Sequence, residues 1–349
     1  MSTSGEGLAR NAPLARESGK PCPLCGAEAV LEPERVAGYQ QPLVFDVYAC
    51  THCETKFVDP LQSFPAVYDL IYADLEHVRG YARYARYARA IKSRRDPLAF
   101  LADEEDAYWA IASCLEANPK GRDARIIEIG SGLGYLTYAV SRRGYDVRGV
   151  DISNVAVSKA RERFGPLYEQ GDIFSLPASH EAAFDMVIMT ELIEHIPNLM
   201  DFVAAAVRLL KPGGQLVLTT PNRLASPPDA LWDTDLPPVH LWWLSEHSVL
   251  QIGERLGMGV RFVDFAEFNR THDTLAPGTF VVGSAKQEPV FDADGRMLAR
   301  SHPLRPLARR LAFAVGLGAY RRAKQRRRAG KQQPEARRAT LCAILTHSR

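Results

Sequence analysis

The residues best suited to chemistry fall into three groups. The first is the glycine loop Glu128-Ile-Gly-Ser-Gly-Leu-Gly134, with Asp151 and Asp172 beyond it. Glycines let a backbone turn sharply and admit a ligand close to the main chain. A carboxylate at Asp151 can accept both hydrogens of a ribose diol, and one at Asp172 can accept from an adenine amine. Taken singly, each acid fits a plain helix cap just as well, Asp151 before Ser153 above all. The second group is two cysteine pairs, Cys22-Pro-Leu-Cys25 and Cys50-Thr-His-Cys53. Each turn can aim two thiolates at one tetrahedral zinc ion, and such a closed site is structural. The third group is two histidines. His195 follows Glu191 and Glu194, and His240 sits in Pro237-Pro-Val-His-Leu-Trp-Trp243. A neutral imidazole can take the proton that a hydroxyl or carbon nucleophile must lose. A histidine satisfied by loop carbonyls is the plainer reading of either.

These groups need elements to place them. From Arg125 onward, apolar strand patterns alternate with helical ones, which predicts a mainly parallel sheet covered by helices on both faces. Seven strands are expected, at Arg125–Ile129, Asp146–Val150, Leu167–Glu169, Phe184–Met189, Gln215–Thr220, Arg261–Phe265 and Ala339–Thr346. Helices are expected at Tyr135–Arg143, Asn154–Phe164, Asn198–Leu210 and Ser245–Leu256. The glycine loop, Asp151 and Asp172 then follow three successive strand ends, where open α/β sheets bind ligands. The spacing G-x-G-x-G, rather than G-x-G-x-x-G, and an acid inside the preceding strand narrow the choice further.

With these residues in view, Arg125 to about Asn222 resembles the core of the class I S-adenosylmethionine-dependent methyltransferases. The resemblance runs through Glu128–Gly134, Val150-Asp151-Ile152, Gly171-Asp172, Phe184-Asp-Met-Val187, Glu191-Leu-Ile-Glu-His195 and Leu209-Leu-Lys-Pro-Gly-Gly-Gln-Leu216. It implies a Rossmann-like fold with S-adenosyl-L-methionine as cofactor. On that likeness Gly130, Gly132 and Gly134 cradle the methionine part, beside Glu128. Asp151 binds the ribose, Ile152 packs on the adenine and Asp172 meets the adenine amine. Thr190 and Glu191 line the sulfonium side. The family's sheet ends in a hairpin, here Arg261–Phe265 with Ala339–Thr346. A histidine in the loop that carries His240 often lies at the family's acceptor, which favours His240 over His195 as the base. Trp242 and Trp243 would supply one pocket wall and one core residue.

The cysteine pairs, with Cys50-Thr-His-Cys-Glu-Thr-Lys-Phe-Val-Asp-Pro60 and Tyr68-Asp69, resemble zinc-ribbon methyltransferases of sugar, glycan and natural-product pathways. That likeness implies a small-molecule, sugar, glycan or lipid-linked acceptor, methylated on oxygen or carbon. The chain so far reads as a leader at 1–20, a zinc ribbon at 21–60, a helical lid or linker at 61–120 and a methyltransferase domain at 121–349 with a basic insertion at about 275–336. The lid would hold Tyr81-Ala-Arg-Tyr84-Ala-Arg-Tyr87-Ala-Arg89, whose arginines either grip an acceptor anion or form a solvated face.

Composition sets the outer limits. Hydrophobic residues make up 46% and charged residues 24% of 349, as in ordinary globular proteins. No apolar run reaches the roughly 20 residues of a membrane span, and Met1–Lys20 lacks the apolar stretch of a signal peptide, so a cytoplasmic protein is expected. The net charge of +2 conceals an asymmetry, since residues 300–349 hold 14 Lys or Arg against one acid, Glu335. Leu304, Leu307, Leu311 and Val315 share a helical face ahead of Arg321–Arg328, a pattern suited to an anionic membrane surface over residues 304–328. Peripheral attachment at the inner membrane face is one expectation. The rival is nucleic acid, which would make the chain an RNA methyltransferase gripping its target with the ribbon and the basic tail. A third reading is a cofactor-binding protein without turnover.

Overall fold

The computed structural model describes residues 17–78, 80–176, 180–225, 230–232, 235–272, 280–282, 288–298 and 339–347. Residues 1–16 of the expected leader and the basic segment 304–328 therefore lie outside the described residues, together with most of the expected insertion; the leader ends earlier than expected, because the first strand already begins at Gly19.

The larger sheet has seven strands. In chain order, the small N-terminal strands are β1 (Gly19–Pro21), β2 (Glu28–Leu31), β3 (Val36–Ala37), β4 (Val44–Cys50) and β5 (Lys56–Asp59). Helices α1 (Pro65–Ala73), α2 (Ala82–Ala90), α3 (Pro97–Glu104) and α4 (Asp106–Glu116) follow. The alternating part begins with β6 (Arg125–Ile129), α5 (Tyr135–Arg142), β7 (Asp146–Asp151), α6 (Asn154–Phe164), β8 (Tyr168–Gln170), β9 (Phe184–Thr190), α7 (Leu199–Arg208) and β10 (Leu210–Pro221). After β11 (Ala230–Trp232) come β12 (Trp242–Trp243), α8 (Glu246–Arg255), β13 (Met258–Phe262), α9 (Ala266–Thr271), β14 (Phe280–Val282) and β15 (Thr340–His347).

The seven strands run β13-β15-β10-β9-β6-β7-β8, parallel from β10 to β8 and antiparallel where β15 meets β10 and β13. Strand order reverses between β6 and β9, so a crevice opens at the carboxyl ends of those strands. Covered on both faces, β9 is buried from Phe184 to Met189. Its residues alternate between two cores. Val187 and Met189 join Ile127, Ile129, Leu216, Leu218 and the ribbon on one face. Met186 and Ile188 join Ile126, Val217 and the helices α3, α4 and α5 on the other. One apolar core thus runs from the cysteine module to the sheet.

Two features depart from the sequence-based expectation. The sixth strand of the large sheet, β13, occupies 258–262 rather than 261–265. Gly257, at φ +64°, ends α8 and turns the chain at once into the ladder. Asp264 accepts from Ala266 N at 2.8 Å and Phe265 packs on Trp109 at 5.8 Å, so both belong to the next helix. The ribbon sheet, in turn, does not close within residues 21–60. Its order is β1-β2-β4-β5-β12, and the last strand is Trp242–Trp243, from far along the chain. Both tryptophans are buried there, and Trp242 stacks obliquely on Phe57 at 5.8 Å. No helix among the described residues is long and apolar enough to cross a membrane.

Candidate functional site

The glycine loop leaves β6 and enters α5 with Gly130, Gly132 and Gly134 at φ of +74°, +50° and +78°. A side chain at Gly134 would collide with Tyr168, whereas one at Gly132 would meet nothing within 4 Å. The loop's middle therefore faces open space. Asp151, at the end of β7, holds it in place: Oδ2 accepts from Gly132 N at 2.7 Å and Oδ1 from Ser153 N at 2.8 Å. A carboxylate has about four lone-pair sites, so two remain for a diol. The cap of α6 is Ser153, which accepts from Ala156 N. Ile152 beside it is 70% exposed although apolar. Asp172, after β8, accepts from Phe174 N at 3.0 Å, and Phe174 is itself half exposed. Glu128 is buried and takes a hydrogen bond from Thr137. Burial pushes its carboxyl up to about 8.

At the end of β9, Thr190 Oγ1 and Glu191 Oε1 are buried with no hydrogen-bond partner among the described residues. Glu191 adopts φ +48°, a left-handed conformation that a non-glycine residue rarely takes. Its N–H donates to Thr219 Oγ1 and the Thr219 carbonyl, which fixes it in that turn. Burial raises its carboxyl to about 8.

Next to Glu191 the two histidines meet. Their rings lie 4.7 Å apart and nearly perpendicular. His195 Nδ1 is 2.6 Å from the Val239 carbonyl. A carbonyl only accepts, so Nδ1 carries the proton and Nε2 keeps the lone pair. Nε2 stands 3.7 Å from Glu194 Oε1. His240 is 8% exposed, and its Nδ1, 3.9 Å from Asp235, has no hydrogen-bond partner among the described residues. Burial lowers both histidines, His240 well below its ordinary 6.5. Each is thus neutral near pH 7. One ligand atom from each of Glu194, His195 and His240 lies within 4.8 Å of the others, a grouping that can share a proton or hold a cation.

Sequence reasoning brought the loop, Asp151, Glu191 and both histidines to this crevice. Not foreseen from the sequence was Glu105, which anchors helix α2. Arg83 pairs with Glu105 at 2.9 Å, and Tyr87 donates to the same carboxylate at 2.7 Å. Arg86 and Arg89 are likewise paired, with Glu104 and Glu76. The arginines of the repeat therefore fasten a helix instead of presenting free cations. Tyr84 and Tyr135 stack at 6.4 Å beneath them. Nothing in local periodicity marks Glu105, because its partners come from another helix.

The four cysteines converge as their spacing suggested. Cys22 and Cys53 sulfurs are 3.7 Å apart, and Cys25 and Cys50 sulfurs 3.5 Å. Thiolates around a tetrahedral zinc at about 2.3 Å stand about 3.8 Å from one another, so the donor set fits. All four sulfurs lie within 4.8 Å of each other. Cys114 and Cys342 are buried elsewhere.

Comparison with known proteins bears on the family. A family profile described as a methyltransferase domain matches residues 75–261. A ubiquinone biosynthesis O-methyltransferase of Alkalilimnicola ehrlichii is 37% identical over 118 residues, covering 32% of this chain and 47% of that protein. A Mycolicibacterium smegmatis protein named "Probable S-adenosylmethionine-dependent methyltransferase" is 30% identical over 210 residues, 56% of this chain and 78% of that one. The chain spans about half the length of the ubiquinone relatives it matches. Among solved structures, an S-adenosylmethionine-dependent methyltransferase from Mesorhizobium loti is 16% identical at a TM-score of 0.43, covering 70% of this chain and 99% of that one.

Proposed function

Since this chain belongs to the class I S-adenosylmethionine-dependent methyltransferases, we propose that it methylates a hydroxyl oxygen of a small-molecule acceptor, with the His195–His240 pair taking the proton. The observation that carries this reading is the pair itself. Two neutral imidazoles, 45 residues apart in sequence, meet beside Glu191 at the carboxyl end of the sheet. The cofactor's sulfonium supplies an activated methyl. The protein's part is to align the acceptor, exclude water and receive its proton.

In this reading Gly130, Gly132 and Gly134 receive the methionine part, with Glu128, Thr190 and Glu191 around it. Asp151 takes the ribose, and Ile152 and Asp172 take the adenine. An ionised Glu191 beside a sulfonium is favourable, which would draw its raised carboxyl back down. Of the two histidines, His195 is tied at Nδ1 by Val239, while His240 Nδ1, 3.9 Å from Asp235, makes no hydrogen bond among the described residues. His240 is therefore the proposed base and His195 its partner. The name of the Alkalilimnicola relative supports an oxygen nucleophile. A sugar or lipid-linked hydroxyl is equally suited, and a structural zinc on Cys22, Cys25, Cys50 and Cys53 completes the assignment.

Release of S-adenosylhomocysteine, followed over a panel of phenols, glycosides and lipid-linked sugars, tests the proposal. His240→Gln should lower kcat by about a hundredfold or more, in the range of lost general-base catalysis, and leave cofactor affinity unchanged. Full turnover in His240→Gln with loss in His195→Gln would assign the base to His195. Turnover unaffected in both would refute the imidazole mechanism.

A further inference from the structure

The ribbon sheet and the acceptor loop are one hydrogen-bonded unit. β5 begins three residues after Cys53. It pairs with β12 through Phe57↔Trp242 and Lys56↔Trp243. The ladder continues by Val58 N donating to the Leu241 carbonyl at 3.0 Å. Leu241 adjoins His240, and its own N–H donates at 2.8 Å to the carbonyl of Glu194, beside His195. The segment 237–243 is thus stretched between two supports. On the catalytic side are Glu194, Ile196 through Trp242 Nε1 at 2.8 Å, and His195 on Val239. On the ribbon side are β5 and Tyr39 N, which donates to Pro237 at 2.7 Å.

The second knuckle is also bolted to the helix that follows. The Cys53 carbonyl accepts from Ser245 Oγ at 3.3 Å and Ser248 Oγ at 3.1 Å. Thr55 Oγ1 donates to Ser248 Oγ at 2.8 Å and lies 3.1 Å from Cys53 sulfur. Cys53, Thr55, Ser245 and Ser248 are fully buried. The first knuckle is tied to the far end of α8, where Arg255 donates to the carbonyls of Pro23 and Leu24. Both ends of α8 therefore grip the knuckles, and the residues just before it carry His240.

We propose that the four-cysteine module is a positioning device for His240, acting through β5 and β12, and that closing it around zinc sets the base against the acceptor. This goes beyond a module that merely folds the N-terminus, and it rests on the reading of His240 given above. A loosened knuckle lets β5 fray, which frees Leu241 and with it His240. The glycine loop follows β6 and Asp151 ends β7; among the described residues neither shares a hydrogen bond with the module, only the apolar core beneath, so cofactor binding is expected to survive a loosened knuckle. A misplacement on the order of 1 Å at a reacting group costs about a hundredfold in rate.

The test uses the full chain with selectively labelled histidine, His240 assigned by the His240→Gln spectrum. Zinc is removed with a chelator, and three quantities are read: S-adenosylhomocysteine affinity, the His240 ring resonances with their titration, and kcat on whichever panel hydroxyl is turned over. The expected result is unchanged affinity, a His240 signal that broadens and titrates nearer 6.5, and kcat lower by about a hundredfold, all restored by zinc. An unmoved His240 signal in zinc-free protein overturns the proposal. So does a fall in cofactor affinity parallel to kcat, which would mark general unfolding. If chelation unfolds the chain, Ser248→Ala takes its place, because it removes the shorter of the two hydroxyl bonds to the Cys53 carbonyl together with the Thr55 bond, and leaves the cysteines. It should keep zinc and cofactor affinity and still move His240 and lower kcat; a silent Ser248→Ala overturns the proposal. Should His240→Gln keep full turnover while zinc removal still shifts the His240 signal, positioning stands and the assignment of the base fails.

Discussion

Alanine at Gly132 and alanine at Gly134 should separate cofactor binding from folding within one loop. Both residues have positive φ, so an L-residue at either costs about 1–2 kcal/mol of backbone strain. The similarity ends there. At Gly132 the added methyl meets nothing within 4 Å, so strain is the whole stability cost. At Gly134 it lands 2.6 and 2.7 Å from Tyr168 ring carbons and 2.8 Å from Ala160 Cβ. Tyr168 cannot swing away, because it is buried and its hydroxyl donates to the Gly134 carbonyl at 2.6 Å. Overpacking adds about 1–3 kcal/mol, for a total of about 2–5 kcal/mol. At roughly 2–4 °C per kcal/mol, Gly132→Ala should lower Tm by about 4 °C and Gly134→Ala by about 10 °C. Affinity should follow the opposite order. The Gly132 methyl intrudes where the cofactor approaches the backbone, so calorimetry with S-adenosylhomocysteine should show binding weakened by about tenfold or more. Folded Gly134→Ala protein should bind better than Gly132→Ala. Equal Tm losses, or wild-type affinity in Gly132→Ala, would refute the reasoning.

Two further outcomes follow from the same site. Asp151→Asn removes a charged acceptor from the proposed ribose contact, and a hydrogen bond to a charged group contributes about 1.5–3 kcal/mol, so affinity should fall about tenfold to a hundredfold. Unchanged affinity by calorimetry would remove Asp151 from the ribose. The second concerns pH. Glu128 and Glu191 are raised from 4.5 to about 8 in the folded chain, so their contribution to stability is full below pH 4.5 and lost as pH rises through 8. His195 and His240 are lowered, so they cost stability only as pH falls below 6.5. Between pH 6.5 and 8 these carboxyls pull Tm of the cofactor-free protein down, while Cys53, lowered to about 5 by its contact with Cys22, pulls it up. Tm of Glu128→Gln should therefore fall less, or rise more, across that window than that of the unsubstituted chain. Identical slopes would contradict the raised carboxyl of Glu128.

Much of this architecture was legible in residue order, and the limits of that legibility have physical causes. β6 with its glycine loop, and the acids at the ends of β7 and β8, are local patterns that short stretches of sequence contain entire. The cysteine cluster was readable because two short turns suffice to aim four sulfurs. The start of β13 was misplaced by three residues because the apolar Phe262, Val263 and Phe265 run together, although the end of α8 before Gly257 was read within one residue. The pairing of β5 with Trp242–Trp243 joins residues 185 apart, which no periodicity announces. The histidine pair is of the same kind. Each imidazole was visible, but the contact between them depends on Leu241 and Val239 being held by backbone hydrogen bonds from elsewhere.

A structure of the chain with S-adenosylhomocysteine bound tests the central claim most directly. The adenosyl group is expected between Asp151 and Asp172 with its base against Ile152, and the sulfur directed past Glu191 toward His195 and His240, with room for one small acceptor between. A cofactor whose sulfur points away from the histidine pair, or which leaves the Asp151 carboxylate without a ribose contact, would contradict it.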